Sequence, residues 1–253
     1  MISQIANAAK FALLSFRRNP ASTFFTVVLP LIFLILFGFI FGSEEISPGV
    51  KVTTFQVPGI LALSIISATF VNLAITTTFR RELGQLKRIR STPMPPVAYI
   101  LGQVLASLVI SAFMAVLVVA AGRLLFGVSF QWETTAVFVV SIVLGAMAFA
   151  ALGLAVTAII PSQDAAPAVT NMLALPLYFI SDVFILIDDN TPAVIRWIGD
   201  IFPVKHLARA LQPSFDPFLA SVQVPWTHWL VIAAWGIFGV IVAATKFQWS
   251  PRR

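Results

Sequence analysis

Between Arg18 and Glu44 there is no charged residue, and the run 21–42 is long and apolar enough to cross a bilayer. Five further runs of this kind follow, at about 57–79, 97–122, 134–160, 167–187 and 226–245, the fifth holding a single charge, Asp182. Such spacing of charges leaves a water-soluble fold no polar exterior. The chain is 59% hydrophobic and 10% charged, where soluble domains are roughly half apolar and about a quarter charged. The expectation is an all-α membrane protein with six transmembrane helices. The first run exceeds the ~7–15 residues of a signal-peptide core and ends without a small-x-small site, so it reads as a retained anchor.

Lys and Arg orient the runs. With the N-terminus in the cytoplasm, the inner segments hold Lys10, Arg17, Arg18, Arg80, Arg81, Lys87, Arg88, Arg90, Lys246, Arg252 and Arg253. The outer ones hold Lys51, Arg123, Arg196, Lys205 and Arg209. This positive-inside bias puts both termini in the cytoplasm. The net charge of +6 therefore reads as membrane orientation, with no nucleic-acid partner expected. Zero cysteines and two histidines, His206 and His228, exclude thiolate chemistry and a His- or Cys-rich metal cage.

Residues 1–20 form one expected unit and 21–253 the six-span unit. In the first, Ile2, Ile5, Ala9, Leu13 and Phe16 recur at helical steps, the pattern of an amphipathic interfacial helix with its basic end at anionic headgroups. It is either a plain membrane anchor or an elbow that also touches a cytoplasmic partner. Between the fifth and sixth runs, the stretch 190–215 carries short apolar pieces broken by Pro192, Pro203 and Pro213, which fits a re-entrant or outer segment better than a span. The small residues Gly145, Ala146, Ala150, Ala151, Gly153 and Ala155 imply close helix packing. Asn72, Gln103, Ser107, Ser111, Thr170 and Asn171 either cross-link helices or line a path. Asp182 either faces an aqueous outer vestibule or marks the end of its span.

The densest charge cluster is the inner loop 79–96. Orientation accounts for its Arg and Lys residues, but not for Glu82, Gly84 or the apolar edge Leu83, Leu86, Ile89, which calls for a partner surface. The run Arg81-Glu82-Leu83-Gly84-Gln85-Leu86-Lys87-Arg88-Ile89-Arg90-Ser91-Thr92-Pro93 resembles the cytoplasmic hairpin of ABC type-2 transporter permeases, in particular the drug- and lipid-exporting, daunorubicin-resistance-like branch. Pro30 in the first run, Pro58-Gly59 opening the second, and Leu175 to Ser181 followed by Phe202-Pro203 extend the likeness along nearly the whole chain. Asp182 stands where the family commonly has a small residue, and Ile185-Leu186 where it often has a proline.

The resemblance implies a permease subunit that pairs with a second copy or a paralogous permease and docks a separate ABC ATPase. Carried over residue by residue, the coupling positions are Arg81, Glu82, Gly84, Leu86, Arg88 and Pro93 in the hairpin, with Ser162 and Asp164 in the next inner loop. Leu86 is the expected apolar docking residue, and Gly84 the one permitting close approach. A substrate path between the second and fifth spans would involve Ile66, Phe70, Asn72, Asn171, Leu175, Tyr178 and Asp182. The chain has no Gly-x-x-x-x-Gly-Lys-Ser/Thr loop, so no cofactor of its own is expected, and ATP and Mg belong to the partner. The expected location is the plasma membrane of a bacterial cell. The cargo class implied is a hydrophobic or amphipathic small molecule or lipid; a polysaccharide or teichoic-acid precursor is the alternative. A membrane-embedded enzyme lacks support, because no catalytic serine turn or aspartate cluster is visible.

Overall fold

The computed structural model describes residues 1–42, 45–47, 50–184, 191–218 and 221–251. Helix α1, Ile2–Arg17, leads to α2, Pro20–Phe41, where the Asn19 side chain accepts the Ser22 N–H at 3.1 Å and Pro20 takes the first helical position. A short antiparallel pair, Glu45–Ser47 with Val50–Lys51, precedes α3, Val52–Glu82. Then come α4, Gln85–Arg90, α5, Pro96–Phe126, and α6, Trp132–Val156. The C-terminal third holds α7, Ala165–Phe179, α8, Ala193–Ile201, α9, Pro203–Leu211, and α10, Trp226–Lys246.

Among the described residues, α2, α3, α5, α6 and α10 are long and apolar enough to cross a membrane. They match the first, second, third, fourth and sixth apolar runs, within a few residues at each end. The fifth run behaves differently. Its helix, α7, has 15 residues, about 22 Å at 1.5 Å per residue, against a hydrocarbon core of about 30 Å. The helix is lost after Phe179, and Asp182 turns into the left-handed region at φ 57°. Hydropathy alone saw one continuous run because Ile180, Val183 and Phe184 are apolar. Residues 185–187 of that run, Asp188-Asp189 and the terminal Arg252 and Arg253 lie outside the described residues. The stretch expected as a re-entrant or outer segment contains α8 and α9.

Helix α3 is the centre of the bundle. Ile60, Leu61, Ile65 and Ile66 are fully enclosed, as suits a helix that is apolar all round. A π-helical turn, Ser67–Val71, interrupts it at mid-length, and another, Phe24–Val28, lies near the start of α2. Small residues set the close approaches, as the sequence predicts. A Cβ added at Gly153 of α6 would strike the Phe70 carbonyl at the α3 π-turn and one at Gly145 the Leu207 side chain of α9, and one at Gly236 of α10 would sit tightly against the backbone and Cβ of Ala148. Likewise Gly102 of α5 leaves room for Ala8, and Ala9 and Ala12 pack on Ala106, so α1 runs along α5.

Candidate functional site

Two adjacent arginines end α3, and the structure buries both. Sequence position alone marks them as cytoplasmic surface charge; geometry makes them clamps. Arg81, 1% exposed, donates through its two terminal nitrogens to the carbonyls of Thr157 and Ile160, each at 2.8 Å. Those carbonyls belong to the turn that closes α6, where the last helical C=O groups lack partners and a cation is favoured. Its Nε donates to Glu82 Oε1 at 2.7 Å. Arg80 faces the other way. One of its terminal nitrogens donates to Tyr99 Oη at 3.0 Å and Gln103 Oε1 at 2.7 Å on α5, and the guanidinium lies 5.4 Å from the Phe11 ring centroid of α1. The hairpin's first arm is thereby tied to α6 on one side and to α5 and α1 on the other.

Past this clamp, Gly84 ends one helix and starts the next. Its N–H donates to the Arg81 carbonyl at 3.0 Å, and its own carbonyl accepts the Arg88 N–H at 3.2 Å, opening α4. The residue sits at φ 70°, and a Cβ there would meet nothing within 4 Å. Glycine is needed here for backbone conformation, since left-handed φ disfavours other residues, a requirement separate from the expected close approach of a partner. The apolar edge is divided, which corrects the expectation of Leu86 as a docking residue. Leu86 is 0% exposed, enclosed by the chain itself, whereas Leu83 on the preceding turn is 58% exposed. Helical periodicity put both on one edge, but the left-handed residue between them breaks the period. The solvent-facing surface of the hairpin therefore includes Leu83 together with Lys87, Arg88, Arg90 and Pro93.

The loop between α6 and α7 adjoins this surface through Arg81, whose acceptor Ile160 immediately precedes it. In that loop, Ser162 Oγ accepts the Ala165 N–H at 3.2 Å at the start of α7, and Asp164 is exposed. The structure thus joins the two loops that carry the expected coupling positions. Gln103, named above as a helix cross-linker or path residue, takes the cross-linking role here; Tyr99 and the Thr157 and Ile160 carbonyls complete the clamp with no signal in the sequence, since a carbonyl leaves no mark on composition.

The residues of the expected substrate path are divided. Ile66 and Tyr178 are buried, Phe70 and Asn72 are half-buried, and Asn171 and Leu175 face outward from α7. Helix α7 packs Thr170, Ala174 and Tyr178 inward, so Asn171 and Leu175 do not share a lining with Asn72. Asp182 faces no open vestibule. Its carboxylate is 1% exposed and accepts the Nε–H of Arg209 at 2.7 Å. The neighbouring side chains are Phe55 and Pro58 of α3 and Ala208 and Gln212 at the end of α9. Close by on the same side, the Nδ1 atoms of His206 and His228 lie 2.8 Å apart, and His206 Nε2 is 2.8 Å from the Asp200 carbonyl. A carbonyl only accepts, which assigns the Nε2 proton to His206 and makes its Nδ1 the acceptor for His228 when both rings are neutral.

The family model described as ABC-2 type transporter matches residues 3–215. Over 209 residues the chain is 26% identical to the daunorubicin resistance ABC transporter permease protein DrrB1 of Streptomyces coeruleorubidus, covering 79% of this chain and 70% of that one.

Proposed function

Because the chain belongs to the ABC-2 type transporter family and is a multi-pass membrane protein, we propose that it is the permease subunit of an ATP-binding-cassette exporter. Residues 1–20 serve as the elbow helix and 21–253 as a six-span unit whose fifth span is the broken α7 with the chain that follows it. Both termini face the cytoplasm of a bacterial cell. Two such subunits, identical or paralogous, flank the translocation path, and a separate ABC ATPase binds and hydrolyses Mg–ATP.

The observation that carries this reading is the Arg81 clamp. A hairpin tied to the end of α6 by two 2.8 Å hydrogen bonds transmits a push from below to the transmembrane bundle instead of flexing alone. In this reading Leu83, Arg88 and Pro93 meet the ATPase, Glu82 holds the clamp in register, and Ser162 and Asp164 form the smaller contact. Movement at the hairpin then switches the dimer between inward- and outward-facing states.

For the cargo, the reading is a hydrophobic or amphipathic small molecule or lipid entering from the inner leaflet. The five long helices offer apolar and neutral polar side chains such as Phe70, Asn72 and Thr77, which suit such a ligand. The daunorubicin-resistance relative points to the same class. The test is ATPase turnover and export by the permease reconstituted with its ATPase, over a panel of drugs, simple lipids and undecaprenyl-linked sugars. Drugs or simple lipids should stimulate turnover, and Glu82→Ala should leave turnover but lose its link to export. Stimulation by undecaprenyl-linked sugars alone would establish the glycan reading in its place.

A further inference from the structure

Helix α1 lies along α5 because their contact residues are small, and this close approach leaves a groove on one flank. Lys10 and Arg17, two turns apart on the same face of α1, border it together with Ala9 and Leu13, and Leu105 and Val109 of α5 close the other wall. The groove measures about 470 Å³, within the ~300–1,000 Å³ range of small-ligand sites. Neither helix contains an Asp or Glu. Among the described residues neither Lys10 nor Arg17 has an ion pair. The groove is therefore apolar along its floor and positively charged along one rim.

Its depth in the bilayer follows from α5. Tyr99 packs against Trp249 with ring centroids 6.2 Å apart, and paired aromatics near a basic helix end mark the membrane interface. Leu105 and Val109 lie about 9 and 15 Å further along the helix, within the hydrocarbon. An occupant must offer a negative group to Lys10 and Arg17 and hydrocarbon to Leu105 and Val109. We infer that the groove binds an anionic phospholipid of the inner leaflet, phosphate against the α1 cations and one acyl chain along α5. A water-soluble protein would not reach Val109, and a zwitterionic lipid would leave the two cations uncompensated.

The experiment uses the full chain in detergent and native mass spectrometry with phosphatidylglycerol and phosphatidylcholine as probes. Wild type should retain phosphatidylglycerol about tenfold better, since basic residues at an anionic surface each contribute measurably to binding. The double variant Lys10→Gln/Arg17→Gln should retain both lipids equally, and Lys51→Gln/Arg123→Gln, on the opposite side of the membrane, should match wild type. Equal retention by wild type, or undiminished preference in the α1 double variant, overturns the assignment. Because the chain has no cysteine, Leu14→Cys gives a unique label in native membranes. Labelling by a water-soluble maleimide that is blocked only when the ATPase is present would make this groove a protein contact and would also overturn it. None of these readouts depends on transport, so they stand apart from the exporter reading.

Discussion

Asp182 and Arg209, 27 positions apart, form an ion pair at 2.7 Å whose two members are unequally buried: the carboxylate is 1% exposed and the guanidinium 32%. The pair ties the left-handed turn after α7 to α9, and the guanidinium also lies 5.9 Å from the Phe55 ring centroid of α3. Gly59 on α3 lacks the Cβ that would strike the Val183 carbonyl, which lets this turn press against the central helix.

The unequal burial predicts unequal costs. Arg209→Gln leaves a buried carboxylate without its guanidinium and should destabilise the protein by about 3 kcal/mol, the lower end for breaking a buried pair. Asp182→Asn leaves a cation with access to water, and Asn tolerates left-handed backbone, so about 1 kcal/mol is expected. The double variant should cost less than the sum of the singles. Denaturant unfolding in detergent measures all three; equal costs for the two single variants would refute the argument.

Arg81→Lys should behave almost like Arg81→Ala. One ammonium cannot reach the Thr157 and Ile160 carbonyls and Glu82 with the geometry of the guanidinium fork, so a loss of about 2–3 kcal/mol is expected from either change. A thermal-unfolding series settles the point, and a lysine variant as stable as wild type would show that charge alone suffices.

Gly84 separates conformation from space. Gly84→Ala should cost about 1 kcal/mol through its φ of 70°, and Gly84→Asn distinctly less, because Asn accepts that region more readily. If the larger residue proves the worse of the two in unfolding experiments, crowding, not backbone, governs the position.

Gly102→Val should lift α1 from α5, since its Cβ would strike Ala8. Limited trypsin digestion reads this directly at Lys10, Arg17 and Arg18, where cleavage should accelerate severalfold. Unchanged cleavage would mean that α1 does not depend on this contact.

Much of the bundle is legible from the spacing of charges, because burying one in hydrocarbon is costly enough to punctuate the chain. The fifth run misleads for the same reason: Ile180 and Val183 look like more helix, and the turn between them depends on Arg209, a residue from another element. The hairpin shows the complementary failure. Arg80 and Arg81 count as orientation signals, yet what they do depends on which carbonyl or amide lies opposite. Leu86 follows the apolar period of its neighbours, but one left-handed glycine resets that period and takes it out of line with Leu83.

The π-turn at Ser67–Val71 has a consequence for the hairpin's aim. It takes up one extra residue, so the helix below it is offset in phase by about 100° from an uninterrupted α-helix. Were these residues to wind as ordinary α-helix, Asn72–Glu82 would rotate by that amount, swinging Arg81 off the Thr157 and Ile160 carbonyls and Arg80 off Gln103. Both arginines point correctly only because of a winding defect about 15 Å away, packed against Gly153 in the middle of the bundle. The hairpin end of α3 is thus indexed from the middle of the bundle, like a key whose bit is cut to match the twist of its shaft.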